Sequence, residues 1–153
     1  MEMSQSHARV VLHITCSTKG RAASLKDLEM RKELYKYQAG ILKEIKCHAI
    51  LINGVADHLH ILCNLHRTVS IAELIEKVKS ASSAWVKKQG TQYAKFAWQS
   101  GYGAFSVSQS KVPEAKKYIA NQETHHRKMS FQEEFRVLCE KHEIEIDERY
   151  VWD

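Results

Sequence analysis

The sequence predicts an α+β domain: a four-stranded antiparallel sheet with helices mainly on one face and further helices at the C-terminus. Three observations predict it. Short runs rich in β-branched residues alternate with longer segments of helical period in the order β-α-β-β-α-β. Two of the runs are separated only by Gly54-Val55-Ala56, a hairpin spacing. The chain has 153 residues, 44% of them hydrophobic, enough for one domain with a real core. The order of elements is that of a ferredoxin-like antiparallel sheet, in which the first and third strands are central.

The elements follow in turn. Residues 9–16, Arg-Val-Val-Leu-His-Ile-Thr-Cys, read as the first strand. Lys19-Gly20-Arg21 turns the chain. From Ser24 to about Ile45, Leu25, Leu28, Leu34, Ile41, Leu42 and Ile45 recur at helical spacing. Residues 46–54 and 57–65 are the two arms of the hairpin. Ser70 and Glu73 make a capping box before the apolar series Ile71, Leu74, Ile75, Val78, Ala81 and Trp85, and Gly90 ends that helix. Residues 91–103 show aromatics without a period and read as a loop, and Ala104–Gln109 as a short strand. Pro113 opens a helix that runs to about Arg127. Ser130 and Glu133 are a second capping box, and the helix it starts buries Phe131, Phe135, Leu138 and Cys139. We take residues 1–153 as a single domain, with a core over about 8–130 and a C-terminal helix and acidic tail over 130–153.

Composition narrows the function. No apolar run approaches the roughly 20 residues of a membrane span. Met1-Glu2-Met3-Ser4-Gln5-Ser6 lacks the apolar core of a signal peptide. Cysteines 16, 47, 63 and 139 form no C-x-x-C pair, so a reduced, cytoplasmic setting is expected. The net charge is +5, and Cys139–Asp153 holds six acids against two bases, so the preceding body carries +9. A basic body suits a polyanionic partner such as nucleic acid, and equally an ordinary solvated surface.

The run Ala56-Asp57-His58-Leu59-His60-Ile61-Leu62 carries the most chemistry. On a strand, His58 and His60 leave the same face, while Cys63 leaves the other. Sulfur is thereby kept from the pair, which weakens a closed zinc site. Two imidazoles with an oxygen ligand leave open positions that suit Mg²⁺ or Mn²⁺. Tyr118 and Gln122 stand at i and i+4 and face one way on a helix, beside a core stripe of Val112, Ala115 and Ile119. Spacing alone equally fits a boundary tyrosine beside a solvated glutamine. Lys116, Lys117, Arg127 and Lys128 cluster around this helix and offer phosphate contacts or plain solubility, while His125 and His126 between them read as metal ligands, phosphate contacts or plain surface residues. Trp98, Tyr102 and Phe105 surround Gly101 and Gly103; they offer base stacking or a plug for the sheet. His13-Ile14-Thr15 has the H-x-[ST] form that two-histidine phosphoesterases use twice. The histidine strand does not supply its partner, and we set that reading aside.

Together these residues resemble the single-tyrosine HUH transposases of bacterial insertion sequences and their REP-associated relatives. The resemblance rests on the His58-Leu59-His60 strand, on Tyr118 with Gln122, on Trp98–Val107 and Tyr118–Phe131, and on Ser17-Thr18-Lys19-Gly20-Arg21. It implies a bacterial DNA transposase that cuts and rejoins single-stranded DNA through a 5′-phosphotyrosine. Tyr118 would be the nucleophile; His58, His60 and Gln122 would hold a divalent metal, and no nucleotide cofactor would be needed. It further implies recognition of DNA hairpins, with Lys19 and Arg21 joining the basic residues above, and a homodimer in which Tyr118 of one subunit can complete the site of the other. The rival expectation is a non-catalytic or domesticated nucleic-acid-binding module on the same fold.

Overall fold

The computed structural model describes residues 5–152; Met1–Ser4 of the N-terminal run read above lie outside that range, as does Asp153. Strands β1 (Val10–Ser17), β2 (Ala49–Gly54), β3 (His58–Leu65) and β4 (Gly103–Val107) form one sheet in the order β2-β3-β1-β4. All three pairings are antiparallel. The first and third strands are central, as the topology predicts. Helix α1 (Leu28–Glu44) joins β1 to β2, and α2 (Ile71–Lys87) joins β3 to β4.

Alternation divides the sheet into two faces. Leu12, Ile14 and Cys16 of β1 and Leu59, Ile61 and Cys63 of β3 point to one side, where Leu34 and Leu42 of α1 and Leu74, Ile75, Val78 and Val86 of α2 cover them. Val11 and Leu62 point to the other, where Val112 and Ile119 of α3 (Val112–Ala120) pack. Helices therefore lie on both faces, because the second face carries apolar residues that also require burial. Beyond α3 come one turn, α4 (Gln122–His125), and then α5 (Phe131–Lys141).

Several boundaries shift for local reasons. Asp27, not Ser24, caps α1, accepting from the Met30 N–H; Leu25 is held in the preceding turn by a 2.8 Å bond from its N–H to the Ala56 carbonyl. Strand β2 starts late because the Cys47 N–H still closes α1 onto the Leu42 carbonyl and Lys46 has positive φ. Ser70 and Ser130 cap α2 and α5 through the Glu73 and Glu133 N–H groups, as the capping boxes predict. Gly54 closes the hairpin: a Cβ there would lie 2.6 Å from the Leu59 Cα, so the chain returns into β3 only with glycine at this position.

The glycine-aromatic run is tied down rather than free. The Trp98 indole N–H donates to Ser82 Oγ at 3.0 Å, and Lys79 Nζ donates to the carbonyls of Gln99 (2.6 Å) and Gly101 (2.8 Å). Trp98 and Phe105 are buried, so these two plug the sheet, while Tyr102 remains exposed. The predicted helix from Pro113 to Arg127 is interrupted. At Asn121 (φ −98°, ψ 24°) α3 ends and α4 begins, so Tyr118 and Gln122 sit on opposite sides of a break. Asn53 of β2 caps it, its Nδ2 donating to the carbonyls of Ile119 (2.9 Å) and Ala120 (3.3 Å).

Candidate active site and metal centre

His58 and His60 are the first and third residues of β3, both buried on the face toward α3–α5. His60 stands opposite Thr15 of β1, and His13 of that strand shares the same face. From the other side, α5 contributes Glu134 from its first turn, 1% exposed. The short segment after α4 contributes His126. The ligand atoms of His58, His60, His126 and Glu134 all lie within 4.8 Å of one another.

The carboxylate of Glu134 is the hub. Its Oε1 lies 2.8 Å from His60 Nε2 and 3.7 Å from His58 Nε2. Its Oε2 lies 3.0 Å from His126 Nε2 and 3.2 Å from His125 Nε2, and accepts the Tyr118 phenol O–H. The Tyr118 oxygen is also 3.2 Å from His125 Nε2.

Behind the centre, every cluster histidine has its Nδ1 engaged. Asp57 Oδ1 lies 2.7 Å from His58 Nδ1, the Met129 carbonyl 2.7 Å from His126 Nδ1, and His13 Nε2 2.7 Å from His60 Nδ1. Carboxylate and carbonyl oxygens only accept, so His58 and His126 carry their protons on Nδ1 when neutral and turn Nε2 lone pairs inward. Three imidazole nitrogens and a carboxylate oxygen are a ligand set for a divalent cation. The buried atoms His60 Nε2, Glu134 Oε1 and Gln122 Oε1 have no aligned hydrogen-bond partner, which fits a centre completed by a cation. The 2.8 Å approach of His60 to Glu134 is close but poorly aligned for an N–H donor.

The electrostatics follow from burial and from the hub. Burial would raise the Glu134 carboxyl, but the bond from His126, the nearby His60 imidazole and the Tyr118 phenol take it well below the usual range. Burial, then Glu134, pushes the Tyr118 phenol well above its ordinary value. Burial, then His60, lowers His13 to about 3 and so keeps it neutral. Burial would lower His126, yet its bond to Glu134 raises it.

Most residues singled out in the sequence converge here. His58, His60 and Tyr118 do so, with the His60 and Tyr118 rings 6.0 Å apart. Gln122 is fully buried; its Nε2 donates to the Tyr118 carbonyl at 3.4 Å. His126, for which metal ligation is one of the readings above, lies in the cluster. Arg21, Arg127 and His126 line a 640 Å³ cavity on one side of the centre, together with Arg31 and Asp57. His13, Tyr118, His125 and Glu134 line a 720 Å³ cavity on the other. Lys19, Lys116, Lys117 and Lys128 are exposed and do not touch the cluster. Sequence reasoning missed Glu134, Asp57 and the pairing of His13 with His60. Nothing local marks Glu134, which reads as a second acid beside the capping-box Glu133. A second H-x-T does occur, His66-Arg67-Thr68, but His66 bonds its own Thr68 at 2.7 Å beyond the end of β3, so it makes no pair with His13.

Comparison with known proteins gives a concordant picture. The sequence model of a family described as "Transposase IS200 like" matches residues 6–122. No curated protein matches. Among solved structures, a candidate transposase from Deinococcus radiodurans R1 is similar at a TM-score of 0.61 and 20% identity, covering 80% of this chain and 98% of that one. The REP-associated tyrosine transposase bound to a REP hairpin is similar at 0.59 and 11% identity, covering 82% of this chain and 74% of that one. At these identities the structural likeness concerns the fold.

Proposed function

Because the chain belongs to the IS200-like transposase family, we propose that it cleaves and rejoins single-stranded DNA, with Tyr118 as nucleophile and a divalent cation held by His58, His60, His126 and Glu134. The observation that carries this reading is the convergence of three imidazole Nε2 atoms on a carboxylate that also accepts the nucleophile's proton. Gln122 Oε1, buried and unpaired beside Tyr118, is a further ligand, as the resemblance implies. When bound, the cation supplies Lewis-acid polarisation of the scissile phosphate. Three imidazoles rather than two favour Mn²⁺ over Mg²⁺.

The chain's own residues do the rest. The Tyr118 oxygen attacks phosphorus and the 3′-oxygen departs, taking a proton from water, to leave a 5′-phosphotyrosine and a 3′-hydroxyl. Glu134 Oε2 is the acceptor for the phenol's proton, and Oε1 would be the oxygen that helps hold a cation. Glu134 is a weak base and Tyr118 a weak acid here, so the proton leaves as the O–P bond forms rather than before it. Attack by a 3′-hydroxyl on the phosphotyrosine reverses the step, with no nucleotide consumed. Arg21 and Arg127, on the rim of the 640 Å³ cavity, and exposed Lys19, Lys116, Lys117 and Lys128 neutralise the DNA backbone. DNA hairpins are the specific ligand and a homodimer the working assembly, since rejoining needs two ends held together.

Incubation with labelled single-stranded hairpin oligonucleotides and Mn²⁺ or Mg²⁺, followed by a denaturing gel, tests the reading. A covalent adduct is expected from the parent chain, and none from Tyr118→Phe, from His58→Ala with His60→Ala, or in chelator. Hairpin binding without any adduct would make the chain a non-catalytic binding module instead.

A further inference from the structure

Two of the three cluster histidines have their tautomer dictated by an obligate acceptor, Asp57 or the Met129 carbonyl. His60 does not. Its Nδ1 meets Nε2 of His13 at 2.7 Å, and an imidazole pair can share one proton in either direction. The geometry on the far side of His60 breaks the tie. A proton on His60 Nε2 would point into a buried space where no acceptor is aligned, despite Glu134 Oε1 at 2.8 Å. A buried N–H without an aligned partner is disfavoured. The reverse arrangement leaves no such donor. His60 then donates from Nδ1, His13 Nε2 accepts, and the His13 proton sits on Nδ1. His13 lines the 720 Å³ cavity.

We propose that His13 is the positioning residue of the metal centre: its Nε2 lone pair accepts the His60 Nδ1–H, fixes that tautomer and turns the His60 Nε2 lone pair toward the cation. This gives His13-Ile14-Thr15 a role distinct from phosphoester chemistry. His13 is not one of the four clustered ligand residues; it acts through His60, as Asp57 acts through His58. Both partners come from the sheet: Asp57 directly precedes β3, and His13 is on the adjacent central strand. The ring is held laterally by Phe105 and Tyr118, at centroid distances of 6.2 and 6.1 Å.

The inference rests on the metal reading, and its test separates the two. Long-range ¹H–¹⁵N spectra of histidine-labelled, metal-free protein report each ring's tautomer directly. The parent chain is expected to show His60 protonated on Nδ1. In His13→Phe, which keeps a ring of similar size, His60 is expected to shift toward the Nε2–H form, and Mn²⁺ affinity measured by calorimetry to fall about tenfold, the scale of losing an outer hydrogen-bond partner. His13→Gln, whose amide oxygen accepts from the same direction, is expected to restore both the tautomer and most of the affinity. Far-UV circular dichroism checks that each variant is folded. An Nε2–H tautomer for His60 in the parent, or an unchanged tautomer in His13→Phe, overturns the proposal whether or not Mn²⁺ binds. If the tautomers behave as expected but the parent binds no Mn²⁺, the metal reading falls, and with it the role of His13 toward a cation.

Discussion

The phenol of Tyr118 donates to Oε2 of Glu134, sixteen positions further along the chain and on a different helix. The same carboxylate meets His60 and His126, so one side chain joins Tyr118 to the imidazole cluster. Removing its charge therefore alters the tyrosine and the cluster together.

Glu134→Gln is the first prediction. Burial and the carboxylate both hold the Tyr118 phenol up, so loss of the charge lowers its pKa while burial keeps it above that of a free tyrosine. Alkaline titration followed at 295 nm, with Tyr118→Phe as the subtraction, is expected to show one tyrosine ionising at lower pH in the variant. Mn²⁺ affinity is expected to drop by about tenfold or more. An unshifted titration would remove Glu134 from contact with the phenol.

Glu134→Ala goes further. It leaves buried His60 and half-buried His126 without their shared partner, and breaking a buried charged network from one side costs about 3–5 kcal/mol. Denaturant unfolding of metal-free protein is expected to show that loss. A cost under about 1 kcal/mol, the scale of an exposed ion pair, would mean that the hub contacts are solvated in solution.

The third prediction concerns the break at Asn121. Asn53 supplies the cap for the Ile119 and Ala120 carbonyls. Asn53→Ala is expected to cost about 1 kcal/mol in unfolding and to raise hydrogen exchange at Asn121–His125 above the rest of the chain. Uniform exchange would show that the break is held by packing alone.

A fourth prediction concerns the assembly. Tyr118 lies against His60 of its own chain. A mixture of Tyr118→Phe with the His58→Ala, His60→Ala double variant is therefore expected to stay inactive even where heterodimers form. Recovered cleavage would mean that the tyrosine serves the partner's histidines.

The last prediction is alkaline and independent of the site. Burial raises the Cys16 thiol to about 11 and the Cys63 thiol to about 12. In the unfolded chain these thiols ionise near 9, so between pH 9 and 12 unfolding releases protons and stability falls as pH rises. Each group contributes at most about 1.4 kcal/mol per pH unit in that window. Cys63→Ala is expected to flatten the decline of unfolding free energy above pH 9 relative to the parent. An unchanged slope would mean that the thiol is reached by water.

How far the sequence reveals this depends on the range of the interactions. The strand alternation at His58 and His60, the caps at Ser70 and Ser130 and the stripe of Val112, Ala115 and Ile119 are all local, and each is legible. The tight return at Gly54 is legible as a hairpin. The break at Asn121 is not, because it depends on Asn53 from a strand that pairs elsewhere. Glu134 is not legible either. On α5 it reads as one more acid in a charged first turn, and only the fold brings it under the sheet. His13 was visible as a motif but not as a partner, since its pairing with His60 spans 47 positions.

The Ser130 cap has a consequence for how the centre tolerates change. It sets the residue at which α5 begins, and with it the rotational phase of Glu134, four positions on. Successive residues on a helix differ by about 100° in direction. One residue gained or lost between His126 and Ser130 would have to be absorbed in that segment, or the carboxylate would swing off the cluster toward solvent. The strands hold their histidines by a ladder of many bonds, whereas the carboxylate is held by a count of residues. Insertions should be silent in the loops at the sheet's far end and costly in this one short segment.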